Sequence, residues 1–226
     1  MTKIVSDIVQ RGDRYFRWRG ENVSRLEAIF DALVALSMTL IIVSIEVPKS
    51  FDDLWGSFAK LPAFAICFTI LMMCWYYNYL FHRRYGLEDF PVVIMNGVQM
   101  FLIVLYVYPL KFLYTLMFNR GQIQINQGQI GTLMIMYSCG FLAIFLTYAL
   151  MYFYAYTKRA TLNLNRNEIT LTRLKISEHL TYVLVSIVSI VLACFPKLIP
   201  WSGIVYAALG PLQFANGFIW GRQIEE

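Results

Sequence analysis

Charge and histidine are scarce in this 226-residue chain. Only 15% of its residues are charged, and His82 and His179 are its two histidines. Both are expected at loop edges, which excludes a multi-histidine metal site. There is no G-x-S-x-G nucleophile, no H-E-x-x-H pair, no phosphate-binding glycine loop and no close carboxylate pair inside an apolar run. No catalytic residue, metal or cofactor is therefore expected, and the chain does not read as an enzyme. Cys67, Cys74, Cys139 and Cys194 lie in apolar stretches without a C-x-x-C pair, so they read as small buried residues rather than a disulfide framework or zinc site. A T-V-G-Y-G run is missing too, which excludes a carbonyl-lined potassium filter of the usual kind. Arg11, Arg14 and Arg17 repeat at three, but they are mixed with Gly12, Asp13 and Gly20 ahead of the first apolar run. A voltage sensor needs that repeat inside an apolar helix. With Tyr15, Phe16 and Trp18, the segment reads instead as a short interfacial helix, its aromatics against lipid and its arginines against phosphates.

What is abundant is apolar: 58% of the residues are hydrophobic and the mean hydropathy is +0.56. A soluble globule is excluded on that composition. The net charge of +5 sits beside apolar runs, where anionic lipid headgroups, not nucleic acid, are the expected counter-charge. Hydropathy gives six spans, at about 29–47, 61–81, 92–114, 130–156, 180–195 and 199–220. The fold class expected is all-α, a polytopic membrane protein of the cell membrane. Residues 1–24 form a cytosolic basic segment, and 25–222 a single transmembrane domain. The first 25 residues lack the apolar core of a secretory signal, so the first span is expected to act as the insertion signal. If both termini and the second and fourth loops share one side, that side holds 14 of the 19 basic residues, and the positive-inside rule makes it the cytosol. Trp55, Trp75, Tyr77, Tyr154, Tyr156, Trp201 and Trp220 fit interfacial belts. Gly210 and Pro211 are expected to kink the sixth span.

The first span is patterned where lipid exposure alone requires no pattern. Ile29, Leu33, Leu36, Leu40, Val43 and Val47 recur at four and three, making one stripe of a helix. Beside them run Ala28, Ala32, Ala35 and Thr39, small enough for a neighbouring backbone to approach. Asp31 points away from the stripe. At that depth a carboxylate costs roughly 3 kcal/mol on insertion scales, so it should be buried against the bundle and hydrogen-bonded there. The periodicity leaves two readings open. One is ordinary helix packing. In the other, copies of this helix surround an axis, with Leu36, Leu40 and Val43 as apolar rings that gate by dewetting and Thr39 as a hydroxyl beside them.

The run Arg25-Leu-Glu-Ala-Ile29-Phe30-Asp31-Ala-Leu-Val-Ala-Leu36-Ser-Met-Thr39-Leu40 resembles the first-span signature of the transmembrane protein 175 family of potassium channels. That signature is R-L-E-A-F-S-D, then small and aliphatic residues, with a threonine eight positions after the aspartate. Pro48 closes the span in the same way. Trp75, Asn78, Asn96 and Pro109 are weaker landmarks, and Ile29 and Phe30 stand where the signature has phenylalanine and serine. The resemblance implies a potassium-permeable channel without a carbonyl filter. It also implies a homotetramer, as in the single-repeat prokaryotic branch, with the first helix of each subunit lining the pore. Carried over by position, the hydrophobic constriction falls at Leu36, Leu40 and Val43, the pore hydroxyl at Thr39, and the helix-holding charges at Arg25 and Asp31. An ideal helix turns Arg25 towards the pore, so it is expected to be paired or to lie beyond the helix end. K⁺ and membrane lipids are the partners this implies. The alternatives are a small secondary transporter, which calls for polar groups at midplane and broken helices in matched halves, and a non-conducting membrane scaffold.

Overall fold

A computed structural model describes residues 15–43, 49–51, 55, 61–118 and 126–223. Every regular element in them is helical. They are α1 (Arg25–Val43), α2 (Leu61–Tyr85), α3 (Phe90–Phe118), α4 (Gln127–Thr157) and α5 (Arg166–Ala193), then a last span made of α6 (Ile199–Ile204) and α7 (Leu209–Gly221). Five stretches are long and apolar enough to cross a membrane: Phe64–Tyr85, Phe90–Leu110, Gly128–Thr157, Arg166–Ala193 and Pro196–Gly221. Helix α1, 19 residues long, ends at Val43, where the described residues stop, and is not among these five. The chain is thus a multi-pass membrane protein.

At 31 residues α4 is the longest helix, about 46 Å at 1.5 Å per residue, and it is the mast of the bundle. Tyr137, Phe141, Phe145, Tyr148 and Tyr152 are buried along it at spacings of three and four. Asn126 caps its start, accepting from the Gln129 amide while the Gln129 side chain accepts from Asn126 N–H. The hydroxyls of Ser138 and Ser189 pair at 2.8 Å, Ser189 donates to the Ser202 carbonyl, and Tyr206 donates to Ser138. This chain of small polar groups ties α4 and α5 to the last span. In an apolar medium no water competes for such bonds.

Three expectations change. The fifth helix begins at Arg166, not near 180. Its polar first turns are stabilised by an Asn165–Glu168 capping box and a Tyr85–Thr172 hydroxyl pair at 2.7 Å, which hydropathy does not register. The sixth span is not simply kinked at Gly210 and Pro211; it tightens into a 3-10 turn at Val205–Ala208 just before them. Pro211 has no N–H for the Ala207 carbonyl and crowds it, so the preceding turn tightens. The two histidines are interior. His82 (2% exposed) and His179 (fully buried) lie within α2 and α5.

The interfacial reading of residues 15–24 is also overturned where they are described. They run as an irregular strap, not a helix. Phe16 is 2% exposed, edge-on to Tyr85 at 5.4 Å, with the Arg84 guanidinium over its ring. Arg19 donates to both oxygens of the buried Glu168, at 3.0 and 2.7 Å, and to the carbonyls of Leu162 and Asn163. The Arg19 and Gly20 amides donate to the Arg83 carbonyl. Among the cysteines, Cys67 and Cys74 are buried, whereas Cys139 and Cys194 are exposed, because they fall on outward faces of α4 and the end of α5. Trp75 and Tyr77 are half-buried, Trp75 bonded to Asp31 and Tyr77 edge-on to His179.

Candidate functional site in the first helix

One line of α1 is buried in the bundle: Phe30, Val34, Ser37 and Ile41, each at most 2% exposed. At 100° per residue, the line two positions away, Ala28, Ala32, Ala35 and Thr39, lies about 200° round the helix. It is exposed along its whole length. Leu36 and Leu40 flank that small line and are 58% and 41% exposed, as is Ile29 at 57%. Leu33 departs from the expected stripe. It sits about 60° from the buried line and packs partly against the core. The outward face of α1 is therefore an arc of small residues and two leucines that no described part of the same chain covers. The Thr39 hydroxyl donates to the Ala35 carbonyl at 2.9 Å, which turns its oxygen lone pairs outward. Val43 ends the helix, and its side chain lies outside the described residues, as do Val47, Pro48 and the acidic Glu46, Asp52 and Asp53.

The foot of α1 is clamped to α2 by residues spaced at four on each helix. Asp31 accepts a 2.7 Å hydrogen bond from the Trp75 indole, and Glu27, four residues earlier, pairs with Arg83 at 3.3 Å. Tyr79 sits between them, stacked on Trp75 at 5.6 Å and under the Arg83 guanidinium at 5.5 Å. Asp31 is hydrogen-bonded as expected, but it is exposed rather than buried against the bundle. The spacing from Phe30 carries it to the edge of the buried line. Glu27 is the carboxylate that is buried, at 5% exposure, and hydropathy reading passed over it. The signal available was Ser24 three residues ahead, whose hydroxyl accepts from the Glu27 amide as a helix cap. Glu27 lies just ahead of the apolar run. Burial pushes its carboxyl above the ordinary value, and Arg83 pulls it part of the way back.

Arg25 is the first residue of α1 and exposed. It makes no ion pair among the described residues and stands at the very end of the helix.

Behind the clamp, α2 and α3 are joined by buried amides. Asn78 donates to Asn96 at 2.9 Å, and Asn96 donates to the His82 ring at 2.7 Å, which fixes that imidazole as neutral with its other nitrogen protonated. Asn78 and Asn96, two of the weaker landmarks, are thus brought together. Among the described residues no three His, Cys, Asp or Glu side chains are grouped to hold a metal ion.

Comparison with known proteins agrees with this geometry. The family described as endosomal/lysosomal potassium channel TMEM175 matches residues 25–109, the stretch holding α1, the clamp and the asparagine pair. A protein from Marivirga tractuosa named "Potassium channel" is 32% identical over 92% of both chains. A crystal structure of a variant of the potassium channel MtTMEM175, bound to a nanobody–MBP fusion protein, superposes with a TM-score of 0.81. Its sequence is 30% identical, over 93% of this chain and 99% of that one. A lysosomal potassium-selective channel TMEM175 homolog from Chamaesiphon minutus shares the fold, with a TM-score of 0.52, 18% identity, and coverage of 82% of this chain and 96% of that one. These relatives are channels, not enzymes, and on the level of likeness they show, this chain belongs to the TMEM175 family of potassium channels.

Proposed function

We propose that four copies of this chain surround a potassium-permeable pore lined by α1, with six spans per subunit and both termini in the cytosol. Leu36 and Leu40 form successive apolar rings, with Val43 a turn beyond. The observation that carries this reading is the double-sided α1: one face locked into its own bundle, the opposite face apolar, small and without a partner among the described residues of its own chain. The small line gives a neighbouring helix room to approach, and the flanking leucines then meet across the axis. From Leu36 to Val43 the rings span about 10 Å. Water leaves a constriction that is narrow and apolar, and a cation cannot cross without its hydration shell, so the rings act as the gate in place of a carbonyl filter. Thr39 offers hydroxyl oxygens between them when the pore widens. Asp31 and Glu27 hold α1 in place and do not touch the ion. Discrimination between K⁺ and Na⁺ is correspondingly modest.

The test is K⁺ flux into liposomes from purified protein. Leu36→Asn should wet the constriction and raise resting flux at least severalfold at equal protein density. Unchanged or lower flux would remove Leu36 from the gate. Saturable, coupled exchange in place of gradient-driven flux would indicate a transporter, and absence of any flux a scaffold.

A further inference from the structure

A groove of about 390 Å³ runs along the outer side of α5, walled by Arg173, Ile176, Leu180 and Leu184 and closed by Trp220 of α7. Ile176, Leu180 and Leu184 recur at four and make one apolar ridge; the distance from Arg173 to Leu184 is about 16 Å along the helix. The side wall is held by Asn216, which accepts from Ser177 at 3.0 Å and donates to Thr181 at 2.8 Å. That antiparallel register carries Trp220 one turn further, to the level of Arg173. Helix α5 has 28 residues, about 42 Å, against a hydrocarbon thickness of about 30 Å. Counting about 20 residues back from Ala193 places the hydrocarbon boundary at Arg173, so the groove lies in the acyl region with a cation at its mouth.

The mouth carries two cations. Arg173 donates to the Tyr156 hydroxyl at 2.6 Å, with its guanidinium 5.2 Å from the Tyr156 ring centre. The Arg159 guanidinium lies 4.6 Å from the same centre. The two charges are therefore within about 10 Å of each other, inside one screening length at moderate salt. Four other basic groups on this end have carboxylates: Arg19 with Glu168, Arg83 with Glu27, Lys158 with Asp89, and Lys175 with Glu178. Arg159 and Arg173 have none among the described residues. Two like charges gathered on one tyrosine at headgroup depth, above an apolar slot of acyl-chain length, have the complement of one kind of molecule.

We propose that this groove is a binding site for one anionic phospholipid per chain, its phosphate bridging Arg159 and Arg173 and one acyl chain lying along Ile176, Leu180 and Leu184. The site is separate from the proposed pore and stands whether or not α1 lines it. The test is native mass spectrometry of the full-length protein in mild detergent, titrated with phosphatidylglycerol or phosphatidylcholine. The wild type should retain one phosphatidylglycerol per chain and prefer it at least tenfold. The double variant Arg159→Gln/Arg173→Gln should lose that preference while still binding lipid. Leu184→Trp, which fills the groove from the apolar end, should weaken retention of both lipids. Equal retention of the two lipids by the wild type, an undiminished preference in the double variant, or equal competition by glycerophosphate lacking acyl chains would each overturn the proposal.

Discussion

Gly20 is held where no side chain fits. A Cβ there would lie 2.4 Å from the His82 carbonyl oxygen, and that oxygen belongs to helix backbone that cannot swing aside. The glycine lets the strap pass close enough for the Arg19 and Gly20 amides to reach the Arg83 carbonyl, at 3.0 and 3.1 Å. Gly20→Ala should therefore destabilise the protein by roughly 1–3 kcal/mol, seen as a lowered melting temperature in detergent, with ion preference unchanged. Gly86 faces the same strap with φ at +57°, a conformation that most side chains disfavour. The same scale separates the two carboxylates of α1. Asp31 needs only an indole donor at the edge of the bundle, whereas Glu27, deeper, needs a cation.

Among elements, the strap at residues 15–24 decides more than its length suggests. The Glu168 side chain is both the cap of α5, accepting from the Asn165 amide at 2.9 Å, and the receptor for Arg19 and for the Arg17 amide. One buried carboxylate thereby fixes the start of α5 and the approach to α1. Arg19→Ala leaves that carboxylate buried without its cation, and breaking such a pair by removing one partner costs about 3–5 kcal/mol. The expected outcome is a large loss of thermal stability. Arg19→Gln/Glu168→Gln should recover much of it, because neither residue is then left as an unpaired charge; if the double variant is no more stable than Arg19→Ala, the charge pairing is not what holds the strap.

At the level of the whole molecule, the apolar surface exceeds what one chain can hide. Phe101 and Tyr108 of α3 and Phe214 of α7 are more than two-thirds exposed, as suits lipid contact, while the outward arc of α1 is built of small residues, as suits helix contact. Ala32 lies at the centre of that arc and is exposed in the single chain. Ala32→Trp displaces nothing among the described residues of its own chain, so it should leave the subunit folded and abolish the proposed assembly of four. Native mass spectrometry in mild detergent checks this. A variant that remains tetrameric would show that subunits meet elsewhere.

The amino-acid order by itself determined the membrane class, four of the spans to within a few residues, and the stripe on α1, because lipid insertion depends on the summed hydropathy of each segment and helix faces follow from a fixed 100° step. It also displayed the R-L-E and Asp31 signature through which the family is recognised. Only the tertiary structure decided which flank of the stripe faces outward, since Leu33 and Leu36 are chemically alike and differ only in where α2 and α3 pack. Only the tertiary structure, too, turned Phe16 and Arg19 from an expected lipid anchor into a buried strap, lengthened α5 through Glu168, and set Arg159 beside Arg173. Those outcomes rest on contacts between different elements, 149 positions apart for Arg19 and Glu168, which no local pattern encodes.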